Sequence, residues 1–192
     1  MKRLLLILIL TFSFQSWTKA DDISDFQIEG MSIGDSLLDY ISESEIKKNK
    51  KNWFKNKKYS ISTFRNVSNF SNFYDEIQII FKTKDKNKNI EGIEANKDFV
   101  NNMEGCLKEL HNVRKIVSDL FEGGNVIESE IKTFTHNGNP NIEITTVDFI
   151  FKSDDKILIQ CSDDKTDQYI DGIRLSVRTK KYEYFLNYEA YK

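Results

Sequence analysis

The sequence is poor in the residues from which most catalytic and metal sites are built. Its 192 residues include two histidines, two cysteines and one proline. His111 and His136 have no metal-ligand spacing to each other or to the cysteines, and no serine has a histidine at a familiar spacing. The acidic pairs of the predicted turns lack the glycine and terminal glutamate of an EF-hand. We therefore predict no catalytic residue, no cofactor and no metal.

The first hydrophobic run is too short to cross a membrane as a helix. Leu4 to Phe14 is 11 residues long, about half of the ~20 that a spanning helix needs. The basic residues Lys2 and Arg3 precede it, and the small residue Ala20 follows it, which is typical of a secretory signal peptide. We predict a cleavable signal peptide over residues 1–20. A retained anchor is the alternative.

Length and charge narrow the class of protein. Residues 21–192 have the length of a single domain. Cleavage would remove three of the 28 basic residues and none of the 30 acidic ones, which leaves a net charge of about −5. An acidic balance argues against nucleic-acid binding, which usually requires a basic domain. We predict one α+β domain in the periplasm or outside the cell.

The two cysteines, Cys106 and Cys161, form a candidate disulfide. An even number of cysteines in an exported chain favours a bridge, because exported proteins fold in oxidising compartments. The alternative is a pair of separately buried thiols, since free cysteine is among the residues that are most often buried.

The apolar pattern predicts short helices near the N-terminus and one long helix in the middle of the chain. Residues 33–41 carry a short apolar stripe, and Ser42 begins a capping box for a second helix toward Lys50. Apolar residues at three- and four-residue steps over 99–121 predict an amphipathic helix of about 22 residues. Gly123-Gly124 is the expected end of this helix.

The remaining segments are predicted to be strands. Residues 59–95 change to the two-residue period of strands, and Asn137-Gly138 is a strong hairpin turn within the second strand region, 126–191. The alternation of Tyr182, Tyr184, Leu186 and Tyr188 predicts a last strand. The expected fold class is α+β, with the short helices and the long amphipathic helix packed on a mainly antiparallel sheet that ends in a β-meander.

A lysine-rich stretch is the one candidate binding segment. It runs from Lys47 to Lys58 and contains seven lysines, a Trp-Phe pair and no acidic residue. Lysines with interfacial aromatics would suit an anionic membrane surface or another polyanion. The alternative is a solvated connector whose two aromatic side chains pack into the core. The candidate residues are Lys47, Lys48, Lys50, Lys51, Trp53, Phe54, Lys55, Lys57 and Lys58.

The C-terminal residues are rich in aromatic side chains. Packing across strands is the expected role of such residues, and a ligand-stacking surface is the alternative. The aromatic residues concerned are Tyr182, Tyr184, Phe185, Tyr188 and Tyr191.

One segment resembles a known family. Residues 25–40, DFQIEGMSIGDSLLDY, resemble the opening of a family of small exported proteins of AT-rich Gram-negative bacteria. The resemblance implies export and a shared fold. Gly30-Met31-Ser32 before a short helix is also distantly similar to the opening of the outer-membrane assembly lipoproteins and the β-lactamase-inhibitor-like domains. That similarity implies helices packed on an antiparallel sheet and a role in binding proteins.

These observations predict an exported, non-enzymatic binding or accessory protein with another envelope protein as its partner. The surface expected to bind is the sheet or the N-terminal helices. A peripheral module that binds anionic lipid or polyanion through Lys47 to Lys58 is the first alternative. A hydrolase that uses His111 or His136 is the second.

Overall fold

The computed structural model describes residues 20, 22–65, 70, 73–166 and 171–192. In these residues nine strands form one antiparallel sheet and three α-helices pack around it, which is an α+β fold as predicted. The predicted signal peptide, 1–20, lies outside the described residues except for Ala20. The helices are α1 (Glu43–Lys48), α2 (Met103–Leu120) and α3 (Lys180–Tyr188). The strands are β1 (Lys50–Lys51), β2 (Tyr59–Phe64), β3 (Glu76–Lys82), β4 (Ile90–Asp98), β5 (Val126–Glu128), β6 (Lys132–Thr135), β7 (Ile142–Phe151), β8 (Lys156–Asp164) and β9 (Gly172–Arg178).

The sheet consists of two sequential blocks joined through its centre. Its strand order is β1-β2-β3-β4-β9-β8-β7-β5, and β6 also pairs with β7. The chain therefore builds β1 to β4, crosses over through α2, builds the second block, and closes the sheet where β9 pairs with β4. The predicted hairpin at Asn137-Gly138 is confirmed, because β6 and β7 flank these residues and pair antiparallel.

Helix α2 covers one face of the sheet. It buries Cys106, Leu110 and Val117 in a core that includes Ile159 and Cys161 of β8. The sulfur atoms of Cys106 and Cys161 lie 2.07 Å apart, at the distance of a disulfide bond. The long helix and the centre of the sheet are thus joined covalently as well as by apolar packing. We call this side of the sheet the covered face.

Of the two helices predicted near the N-terminus, the structure contains only the second as an α-helix. Helix α1 begins as predicted, because the Ser42 side chain accepts a hydrogen bond from the backbone N–H of Glu45. Residues 33–41, however, contain no α-helix but a 3₁₀ turn at Leu37–Asp39. The prediction was wrong because the backbone N–H of Gly34 donates to the carbonyl of Ile90 at the start of β4, and that of Leu37 donates to the carbonyl of Lys88 in the β3–β4 turn, instead of forming helical bonds.

The prediction of a last strand is also wrong, because residues 180–188 form α3. Thr179 caps the helix by accepting a hydrogen bond from the backbone N–H of Tyr182. Tyr182 and Phe185, three residues apart, are buried, whereas Tyr184 is exposed. The burial therefore follows the period of a helix. The consecutive antiparallel strands β7, β8 and β9 are therefore followed by a helix and not by a further strand.

Helix α3 packs on the opposite side of the sheet from α2. Tyr182 and Phe185 form a second apolar cluster with Ile80 of β3 and with Phe54. Gly92 of β4 allows this packing, because a Cβ atom there would lie 2.9 Å from a ring carbon of Tyr182. No helix among the described residues is long and apolar enough to cross a membrane.

Breaking the Cys106–Cys161 link is expected to destabilise the fold. The two residues are 55 apart in sequence, and closing a loop of that size is worth about 4 kcal/mol in the chain-entropy model. Replacing both by serine should lower the free energy of unfolding by about that amount in equilibrium urea denaturation. Reductant should destabilise the native protein and leave the double variant unchanged. Equal stability of the two proteins without reductant would contradict the prediction.

Candidate binding surface on the open face of the sheet

The face of the sheet opposite α2 is polar where α3 does not cover it. Side chains alternate between the two faces of a strand, so residues that pair across strands form rows. One such row consists of Glu76, Asn96, Arg174 and Gln160, on β3, β4, β9 and β8. We call this uncovered side the open face. No local sequence pattern indicates this row, because it joins residues from four strands that are far apart in the chain.

The open face is concave. Its groove has a volume of about 830 Å³, with polar side chains from four central strands on its floor. Asp75, Arg65 and Asp98 stand at one end, and His136, Asn139 and two isoleucines stand at the other. The floor includes Gln78, Asn96, Gln160 and Ser162. The groove therefore offers amide, hydroxyl and charged groups of both signs to a ligand.

Hydrogen bonds connect charged groups across the floor of the groove. The Arg65 Nε atom lies 2.6 Å from a Glu76 carboxylate oxygen, and the Asn96 side-chain amide donates to the same carboxylate. Arg174 in turn donates to the Asn96 side-chain oxygen at 3.2 Å. Partial burial and the negative charge of Asp75 raise the pKa of Asp98, which lies two residues after Asn96 on β4. The floor is thus held in a defined arrangement before a ligand binds.

A buried arginine forms the boundary between the groove and α3. The guanidinium of Arg178 donates to Glu94 at 2.8 Å, to Glu183 of α3 at 3.1 Å and to the Ser176 hydroxyl at 2.7 Å. Its side chain is only 12% exposed. Burial opposes ionisation of Glu183, but the charges of Arg178 and Lys156 outweigh it and lower the pKa of Glu183.

The lysine-rich stretch lies mostly in solvent. All seven of its lysines are exposed, and they are spread over α1, β1 and the segment that leads into β2. Trp53 is 49% exposed, whereas Phe54 is buried under α3. The structure therefore favours neither sequence interpretation entirely, since one aromatic side chain packs in the core and the other does not.

Trp53 also borders an extension of the groove. It lines a second cavity of about 380 Å³ together with Asn49, Lys51 and Thr63. Arg65 and Glu76 line both cavities, so the two are adjacent on the open face. The polar surface accordingly reaches from β1 at one edge of the sheet to β7 near the other.

The two histidines occupy different surroundings. His111 is exposed on α2, whereas His136 lies in a 3₁₀ turn at the edge of the groove. Within the described parts of the chain, no group of three or more histidine, cysteine or acidic residues is placed to hold a metal ion.

Residues 30–34, Gly-Met-Ser-Ile-Gly, match the G-x-S-x-G pattern of hydrolases. In the hydrolases this serine stands exposed on a sharp turn between a strand and a helix. Here Ser32 is buried, and its backbone N–H donates to the Asp35 carboxylate within a loop. The geometry is not that of a nucleophile elbow.

Comparison of the chain with protein-family models, with curated proteins and with solved structures gives no match. The assignment of a function therefore depends on the chemistry of the open face.

The contact of Glu183 with Arg178 predicts a pH-dependent effect on stability. A carboxyl group whose pKa is lowered by folding stabilises the folded state above its unfolded pKa, and this stabilisation disappears as the pH falls through the folded value. Glu183→Gln should therefore reduce the free energy of unfolding by about 2 kcal/mol at neutral pH and by much less in acid. Urea denaturation at several pH values measures the difference.

Glu122→Gln is the matched control for this measurement, because Glu122 is an exposed glutamate near the end of α2. It should change stability little at any pH. A loss in Glu183→Gln that is independent of pH would show that the charge of Glu183 is not the cause.

Proposed function

We propose that this chain is an exported, non-enzymatic protein that binds another envelope component on the open face of its sheet. The observation that carries the proposal is the groove of about 830 Å³ with its polar floor. Ligand sites are usually concave and largely formed before binding, with a few polar groups in fixed positions. The linked side chains of Arg65, Glu76, Asn96 and Arg174 meet this description.

The charge of the groove favours a protein segment as the ligand. Both arginines and carboxylates line the groove, so a polyanion would meet Glu76 and Asp98 as well as the basic groups. A polypeptide presents donors, acceptors and charges of both signs, and this pattern is complementary to the groove. The partner we propose is therefore an extended polar segment of another envelope protein.

Export is part of the proposal. The predicted signal peptide 1–20 supports it, and so does the pairing of Cys106 with Cys161, because disulfides persist mainly in oxidising compartments. The resemblance of residues 25–40 to exported proteins also supports export. We propose a periplasmic or secreted location.

Replacing a groove arginine should weaken binding without unfolding the protein. A charge-assisted hydrogen bond to a ligand is worth about 1.5–3 kcal/mol, so Arg174→Gln should reduce affinity for the partner roughly 10- to 100-fold. The measurement is capture of the partner from native envelope extract, followed by titration of the purified partner. The melting temperature should stay close to that of the native protein, since the Arg174 side chain is 43% exposed.

Arg114→Gln provides a matched control on the other side of the sheet. Arg114 of α2 is also in an ion pair, with Glu128, and its side chain is 39% exposed. This variant should bind the partner as the native protein does. Equal loss in both variants, or retention in both, would argue against the groove as the binding surface.

A further inference from the structure

The outer side of α3 is a stripe of tyrosines. Lys181, Tyr184 and Tyr188 follow one another at steps of three and four residues, which places them on one side of the helix, and Tyr191 lies in the turn that follows its C-terminal end. Tyr184 and Tyr188 are each 55% exposed, and Tyr191 is 61% exposed. The ring centres of Tyr184 and Tyr188 lie 4.9 Å apart. The inner side of the same helix is already fully used in packing on the sheet.

Part of the lysine-rich stretch lies beside this stripe. The Lys58 ammonium is 2.8 Å from the Glu189 carboxylate, and the backbone N–H of Asn56 donates to the Ala190 carbonyl. The ring of Phe54 is 6.1 Å from that of Tyr191. Residues 54–58 therefore run along the C-terminal end of α3. Their exposed lysines belong to the same region of the surface as the tyrosines.

The acidic groups of this region are neutralised by other partners. Glu183 is paired with Arg178, and Glu189 is paired with Lys58. Among the described residues, Lys55, Lys57 and Lys181 form no ion pair, and all three are exposed. The region is locally basic although the chain as a whole is acidic.

We propose that Tyr184, Tyr188 and Tyr191, together with Lys55, Lys57 and Lys181, form a surface that docks on an anionic phospholipid bilayer. Tyrosine rings have an apolar body and a polar tip, and they prefer the level of the lipid headgroups. Lysines keep their ammonium groups at anionic headgroups while their stems cover apolar surface. A soluble polyphosphate has no apolar part, so it would bind the lysines but would gain nothing comparable from three exposed phenol rings.

This surface has no residue in common with the groove, so it goes beyond the proposed function and its test is independent. The docked protein would hold the open face near the membrane, where envelope proteins present their extramembrane segments. Each lysine at an anionic bilayer contributes up to about a fivefold increase in partitioning, so three together contribute on the order of 100-fold.

The experiment is co-sedimentation of the processed protein, purified after export, with vesicles. One set of vesicles contains phosphatidylcholine alone, and the other also contains phosphatidylglycerol. We expect binding to the mixed vesicles that weakens with added salt, because exposed charges are screened. Replacing Lys55, Lys57 and Lys181 by glutamine should reduce binding on the order of 100-fold. Tyr184→Ser with Tyr188→Ser should also reduce it severalfold, although the charge is unchanged.

The matched control changes the same charge elsewhere. Lys48, Lys50 and Lys108 are exposed lysines on α1, β1 and α2, and their triple glutamine variant should retain most of the binding. Equal loss in this control would overturn the proposal, because binding would then follow net charge alone. Unchanged binding of the tyrosine variant, or equal binding to phosphatidylcholine vesicles, would also overturn it. Unchanged binding of the tyrosine variant would indicate a general polyanion site. Equal binding to phosphatidylcholine vesicles would indicate a hydrophobic anchor.

Discussion

The arrangement of the molecule depends on the buried guanidinium of Arg178. This group connects three parts of the fold, because it lies on β9 and bonds to Glu94 of β4 and to Glu183 of α3. Removing a guanidinium from water is costly unless its donors are satisfied, so the loss of a partner of Arg178 destabilises the fold. The contact therefore determines where the chain leaves the sheet and turns back over it as α3.

The position of α3 in turn determines how much of the second face of the sheet stays uncovered. Tyr182 lies against Gly92, and the apolar cluster beneath α3 covers one end of this face. The other end stays uncovered and polar, with the charged row from Arg65 to Arg174 on its floor. The covered face has no comparable uncovered region, because α2 and the Cys106–Cys161 link occupy it. The result is a sheet with one face fully used in packing and a second face that stays partly uncovered.

Local patterns in the sequence predicted the parts of the fold that depend on local interactions. The Ser42 cap of α1 and the turn at Asn137-Gly138 each involve only a few neighbouring residues. The predicted helix over residues 33–41 is wrong because their backbone N–H groups donate to carbonyls of the distant β3–β4 turn and the start of β4. The predicted strand over residues 182–188 is wrong, although aromatic side chains at every second position are typical of a strand. The cap at Thr179 and the burial of Tyr182 and Phe185 favour a helix instead. The open face could not be predicted from local patterns in the sequence, since Asn96 and Arg174 meet only through strand register.

The most direct test of the account is to find which face of the sheet touches the partner. A photoreactive side chain is placed at Gln160, on the floor of the groove, and in a second protein at Ile116, which is 61% exposed on α2. Both are irradiated in native envelope extract. The account predicts that the probe at Gln160 forms a specific cross-link to one envelope protein and that the probe at Ile116 does not. The same cross-link from Ile116 alone would place the binding surface on the covered face and contradict it.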